Sequence, residues 1–376
     1  IRNRFDLVDN HKYHDHPASL EKAWSFPKGY LQKSSISQGA DVPGRLMPTR
    51  IFGKPFIVTE YNFCIPNLYR AEAGPLMGAY AALQNWAGLY RFAWSHQVET
   101  LNTPRNGATG FDICGDPVAQ LTDRLTAVMF LRGDMKSAPR KYAYHLKTDE
   151  FFRPKIDKTY SLPLRRLGLI AQIGTVVDDG PADGVQLLSG KTAITPSILA
   201  HPGDAAAWQK LLRTGSAVSS TGEIRLDSAS GTLVTAAPKT ESISSAVSKI
   251  AGNFLTISRL NTFQTIGAIA LDNKPLVDSG RILILQLTHV INSGMVFGNR
   301  RLTVVKKPGG PPLLLRRGSC RIHLNSPHLY RVTALSADGE VLGRIDGGRT
   351  GDGFAFPADN SRYPGGIMAY LLEKTK

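Results

Sequence analysis

Cysteine is scarce in this chain. Cys64, Cys114 and Cys320 are the three in 376 residues, an odd number set far apart. That spacing excludes a disulfide framework and a zinc cluster, and the expectation is three unpaired thiols. Long apolar runs are missing too. None approaches the roughly 18 residues of a membrane-spanning helix, so no membrane span is expected. The first residue is Ile, and no charged-then-apolar signal segment is visible. No repeat period and no low-complexity linker appear. Acidic residues are in deficit, with 30 Asp and Glu against 45 Lys and Arg, a net charge of +15. The basic residues do not gather into the aromatic-interleaved patch of a nucleic-acid protein. Arg165–Arg166, Arg300–Arg301, Lys306–Lys307 and Arg316–Arg317 are short pairs dispersed among β-like segments, so no nucleic-acid partner is expected. An anionic polysaccharide or an acidic cell surface would suit the charge.

What is present is a globular composition, 42% hydrophobic and 20% charged, in a chain long enough for two or three domains. The stretch KPFIVTEYN, Lys54 to Asn62, reads as a strand buried on both faces, with Phe56, Ile57 and Val58 consecutive. Polar groups follow at its C-terminal end. A first strand covers residues 5–13, FDLVDNHKY, and a third covers 89–94, LYRFAW. The connection 14–53, rich in Pro and Gly, is long enough to be functional or to carry structure of its own.

Two helices alternate with these strands. Glu72 to Trp86 has Pro75 in its first turn and an apolar face of Leu76, Tyr80, Leu83 and Trp86, with Gly88 as its stop. Asp116 to Arg132 opens on an Asp116 cap with Pro117 behind it. This alternation implies parallel strands. Residues 136–215 are mixed, with a strand-like run at 167–177 and a short helix at 204–213. After Gly215 short strands and turn signals such as Asp272-Asn273, Ser293-Gly294 and Asp338-Gly339 point to a β-sandwich.

Parallel pairing would bring three polar strand ends to one crevice: Asp9 to His16, Glu60-Tyr61-Asn62, and Trp94-Ser95-His96. A bland reading pairs Glu60 with Arg50, Arg70 or Arg91. A metal reading would gather His11, His14 and His16 with Asp9 and Asp15. Hydrogen-bonded histidines explain the same residues, and no metal or cofactor is expected. Ser95-His96 lacks the strand–Gly-x-Ser-x-Gly elbow of a serine nucleophile.

The order His11-x-Tyr13, Thr59-Glu60-Tyr61, Trp94 resembles the last three strands of clan A retaining glycoside hydrolases, the cellulase-like and β-galactosidase-like families. The wording DNHKYHDHP, YRAEAGPLMGAYAALQNWAGL and FLRGD also looks like large bacterial members with C-terminal β-domains. The match covers about residues 5–135.

The resemblance implies a fold and a set of roles. The fold would be strands six to eight of a (β/α)₈ TIM barrel followed by a β-sandwich region. Residues 1–135 would be the partial barrel, 136–215 a connecting region, and 216–376 a β-sandwich accessory domain. Glu60 would be the nucleophile, Tyr13 would orient it, and His11 would bind substrate or orient the acid/base residue. Trp94, Asn62, Tyr61, His14 and Trp24 would bind sugar. The acid/base Glu, which in this clan follows the fourth strand, is expected outside the sequence, so the chain alone would be inactive and its longer parent the enzyme. The substrate would be an oligo- or polysaccharide, and an extracellular or periplasmic setting would follow from the resemblance. The alternative is a non-catalytic carbohydrate- or surface-binding protein with a degenerate barrel.

Overall fold

The computed structural model describes residues 2–101, 107–151, 161–189 and 193–375. Its N-terminal sheet has three strands: β1 (Val8–His14), β2 (Phe56–Phe63) and β3 (Gly88–Arg91), in that order. Both pairings are parallel. The register sets His11 opposite Glu60 and Tyr13 opposite Asn62, after an irregularity between Asp9 and His11.

The connections explain themselves locally. The long β1–β2 segment contains a short helix, α1 (Asp41–Leu46), which packs on β1. Two further pieces, Ala18–Ser19 and Lys28–Gly29, pair with each other. Helix α2 (Ala73–Leu83) is buried on every side, as expected of a helix covered by sheet on one flank and helices on the other. Leu76, Met77, Tyr80 and Leu83 are fully covered, each apolar side chain contributing about 1.5–3 kcal/mol by leaving water. Trp86 joins this core, its ring 5.3 Å from Phe56. Helix α3 (Pro117–Thr126) starts as its cap dictates, with the Asp116 carboxylate accepting from Ala119 N at 3.2 Å, and runs on as a π turn over Ala127–Leu131.

The barrel expectation is corrected. The three parallel strands form an open sheet, and antiparallel sheets dominate the chain, with 36% strand against 19% helix. A closed barrel needs about eight parallel strands, each followed by a helix. Here that alternation gives way to strands joined by short turns, which return the chain antiparallel to its neighbour. The local strand–helix–strand pattern is shared by any open α/β sheet, so it could not by itself specify closure.

The middle of the chain adds a second parallel sheet, with Lys141–Leu146 between Gln172–Val177 and Val185–Leu188. Helix Pro202–Thr214 follows and ends on Gly215, which takes the left-handed conformation a C-terminal stop requires. Beyond it lie a nine-stranded and a five-stranded antiparallel sheet. Ile243, Ile266 and Ile284 of the larger sheet share a core with Ile257, Ile322 and Phe356 of the smaller. The larger sheet's other side meets the helices: Leu285 and Ile269 join the cluster containing Leu76 and Leu125. One apolar cluster therefore extends from Val8 to Ala369. Cys64, Cys114 and Cys320 are free and buried. No helix among the described residues is long and apolar enough to cross a membrane.

A hairpin of the C-terminal region reaches the N-terminal one. Val290–Ser293 pairs with Gly310–Leu315, and Val296–Phe297 with Val304–Lys307. Val304–Lys307 then pairs antiparallel with Lys28–Gly29. The hairpin is thus hydrogen-bonded to the loop that carries Trp24, Phe26 and Lys28.

Candidate functional site

β1 and β2 present Tyr13 and Glu60 side by side. The Tyr13 hydroxyl donates to Glu60 Oε2 at 2.6 Å. Burial and this bond to a carboxylate push the phenol well above its ordinary range, so it stays a donor. His11 Nδ1 lies 3.5 Å from the same Oε2. Its Nε2 lies 3.0 Å from Asp9 Oδ2 and 2.8 Å from Thr59 Oγ1. Burial raises the Asp9 carboxyl, but the Thr59 hydroxyl and N–H and the His11 ring outweigh it and hold the group below its ordinary range. Asp9 is thereby a fixed anion behind His11. Oε1 of Glu60 has no protein partner among the described residues.

Glu60 opens into a cavity of about 610 Å³ lined by Tyr13, His16, Trp24, Phe92, His96, Phe111 and Asp112, among others. The walls are aromatic. Phe111 stands 5.5 Å edge-on to Tyr13 and 5.3 Å from His16, and His16 lies 6.0 Å from Trp24. His96 Nδ1 is held by Asp112 Oδ1.

The sequence-derived site residues separate into two groups. Tyr13, Glu60 and Trp24 line this cavity, and His11 touches Glu60 from its side. The remaining four are placed elsewhere. Trp94, 48% exposed, does not line the cavity and donates its indole N–H to Leu101 O at 3.0 Å. The reason is that β3 ends at Arg91, before the sequence-derived limit at residue 94. From there Ala93 and Trp94 exchange backbone bonds with Phe111, Ile113 and Cys114. Asn62 is buried, its amide donating to Phe92 O and Phe111 O while its oxygen accepts from Arg91 Nε. It thus positions the two phenylalanines rather than a ligand. Tyr61 is buried with its ring 6.0 Å from the Arg91 guanidinium. His14 is buried, its Nε2 at 2.6 Å from Lys33 O, and burial lowers its pKa. Asp15 accepts from the backbone N–H groups of Leu31 and Gln32 and from Asn67 Nδ2.

The three arginines that could have neutralised Glu60 are committed elsewhere. Arg50 donates to Gln84 O and Gln172 Oε1, Arg70 pairs with Asp116, and Arg91 with Asp123.

Phe92 falls within the strand expected over 89–94 but lies just past its observed end at Arg91, whereas Phe111 and Asp112 carry no sequence signal of their own, being loop residues without periodicity. Their placement depends on Asn292, some 180 residues away in sequence, which clamps Ala108: its Oδ1 accepts from Ala108 N at 2.9 Å and its Nδ2 donates to Ala108 O at 2.9 Å. Gly107 allows this approach, because a Cβ there would strike the Asn292 amide and its φ is +67°.

Compared with known proteins, the chain matches no family model, no curated protein and no solved structure. A functional reading therefore stands on this geometry.

Proposed function

We propose that the protein is a glycoside hydrolase of the retaining type, acting on an oligo- or polysaccharide with Glu60 as nucleophile. The observation that carries the reading is the Tyr13–Glu60 pair. One carboxylate oxygen is fixed by a donor that burial keeps protonated, and the other, with no protein partner among the described residues, lies beside an aromatic cavity of sugar size. Oε1 would attack the anomeric carbon as the glycosidic C–O bond breaks, forming a covalent glycosyl-enzyme ester. The leaving oxygen takes up a proton, and water then hydrolyses the ester. In place of the acid/base Glu that the resemblance puts outside the sequence, we assign that proton transfer to His96, held by Asp112 in the same cavity, since a carboxylate-oriented imidazole is a frequent general acid and base; on this reading the chain would act on its own. Trp24 and Phe111 would stack on the sugar.

The test uses glycosyl fluorides with a deactivating fluorine on the sugar, which need no acid to leave and so isolate the nucleophilic step. Incubation with gluco, galacto, manno and xylo forms should give one covalent adduct, located by peptide mass spectrometry on Glu60 and absent in Glu60→Gln. An adduct elsewhere, or none with any sugar, would overturn the proposal. The second reading, a carbohydrate-binding protein without chemistry, is favoured by Trp24, 69% exposed at the cavity. Binding without any adduct would identify it.

A further inference from the structure

A second cavity, of about 430 Å³, adjoins the first and shares Lys28, Thr109 and Gly110 with it. Its far wall is the C-terminal hairpin: Asn292, Met295, Val305 and Pro308 to Pro311. Among the described residues no acidic side chain lines it. At the junction stands Lys28, its ammonium 4.9 Å from the centre of the Phe26 ring. Among the described residues Lys28 has no ion-pair partner, although the strand it sits on is held between Ala18–Ser19 and Val304–Lys307. The backbone of Lys28 is thus held by pairing on both sides, and among the described residues its ammonium has no carboxylate within ion-pair distance, in a chain whose net charge is +15.

Resting on the reading of the Glu60 cavity as a sugar site, we infer that the two cavities form one cleft for an anionic oligosaccharide. A carboxylate or sulfate group of the sugar next to the reacting one pairs with Lys28, and the chain continues along the hairpin. The pairing would exchange hydration for a charge-assisted hydrogen bond in a partly enclosed site, where such bonds are stronger than neutral ones. The hairpin would then be a wall of the binding site, extending it beyond a single sugar.

The experiment is calorimetric binding to the full chain carrying Glu60→Gln, so that turnover does not intrude and the result is independent of whether Glu60 is a nucleophile. The probes are tetrasaccharide uronates with their methyl esters, and sulfated tetrasaccharides with their desulfated forms, in several linkages. The expected result is that one acidic form binds about tenfold or more tighter than its neutral counterpart, which also identifies the anion. Lys28→Ala should erase that preference and Lys28→Arg should keep it. Lys249→Ala, which removes the same charge from an exposed strand, should leave it intact. Met295→Trp, which fills the hairpin cavity, should lower the affinity of the tetrasaccharide to that of the disaccharide. Equal binding of acidic and neutral forms, no binding of any acidic form, or equal losses from Lys28→Ala and Lys249→Ala would overturn the inference. An unchanged tetrasaccharide affinity in Met295→Trp would overturn the hairpin subsite. Failure of adduct formation on Glu60 would leave these binding outcomes readable and would fall on the catalytic proposal alone.

Discussion

Tyr13 and Glu60 are joined by a 2.6 Å hydrogen bond between neighbouring parallel strands, and Phe92, Phe111 and His16 surround the Tyr13 ring. Tyr13→Phe keeps those ring contacts and removes only the donor. A bond to an ionised group contributes about 1.5–3 kcal/mol. If it is fully expressed in the transition state, adduct formation at Glu60 should slow by roughly 10–100-fold, with the melting temperature little changed. An unchanged rate would mean that the tyrosine only fills space.

His96 and Asp112 give a prediction that depends on the leaving group. General acid catalysis contributes about 10²–10⁴-fold when the departing oxygen is basic, and little when it leaves unaided. His96→Gln should therefore slow hydrolysis of alkyl glycosides by that order while leaving adduct formation from glycosyl fluorides within about threefold. Equal slowing of both substrates would assign His96 to binding instead of proton transfer. Asp112→Asn should shift in the same direction by a smaller factor, since it acts through the imidazole.

Part of this arrangement is legible in the sequence, and the limit is physical. Three consecutive apolar residues at Phe56 to Val58 announce a strand, though with Phe56 and Val58 buried and Ile57 half-buried it is not covered evenly on both faces, and Asp116-Pro117 announces a helix start; both features are local. Parallel pairing of β2 with β3 follows from the helix read between them, whereas no helix is read in the connection 14–53, and the closeness of Tyr13 and Glu60 across β1 and β2 is implied by the resemblance and not by that pattern. Periodicity tells which residues are buried, not which distant strand pairs with which. The open sheet could therefore not be told from a barrel segment. Nothing near Lys28 indicates that residues 304–307 lie beside it. Trp94 shows the same limit at short range. Its aromatic character fits a strand end, but the strand stops three residues sooner, and loop pairing with residues 111–114 turns it away.

Glu72 gives the pH prediction. Its carboxylate accepts from the Ser34 hydroxyl and the Ser35 N–H, tying the β1–β2 loop to the start of α2. Burial nevertheless pushes its pKa from 4.5 up to about 8. Between those values the folded protein holds a proton that the unfolded chain has released. Stability from this group is therefore fully present below about pH 4.5, and it is lost as pH rises toward about 8. Glu72→Gln removes the ionisation and keeps an acceptor for Ser35. The melting temperature of the variant should rise relative to wild type across that window, by about 5 °C or more at the alkaline end. Thermal melts at half-unit pH steps would check it, and a constant difference between the two proteins would refute it.

The contact between α2 and α3 sets how these pieces are spaced. Gly74 N donates to Thr122 Oγ1 at 2.9 Å, Thr122 Oγ1 donates to Ala71 O at 3.0 Å, and Thr126 Oγ1 donates to Gly74 O at 3.2 Å. The helices approach so closely that a Cβ on Gly74 would run into the carbonyl of Thr122, a backbone atom that cannot rotate aside. On an exposed helix, Gly→Ala would stabilise by about 0.5–1 kcal/mol. Here overpacking dominates, and Gly74→Ala should cost about 3 kcal/mol, read as a lower urea midpoint at constant slope. Gly78→Ala, whose nearest obstacle is Thr126 Cα at 2.8 Å, should cost less. Gly348→Ala, in open space, should be close to neutral. Because β2 leads into α2 and the loop bearing Phe111 and Asp112 leads into α3, prying the helices apart should widen the cavity. Adduct formation at Glu60 should then slow in Gly74→Ala even below its unfolding midpoint. A destabilised variant that reacts at the wild-type rate would show that the cavity is spaced by the Asn292 clamp and not by the helix contact.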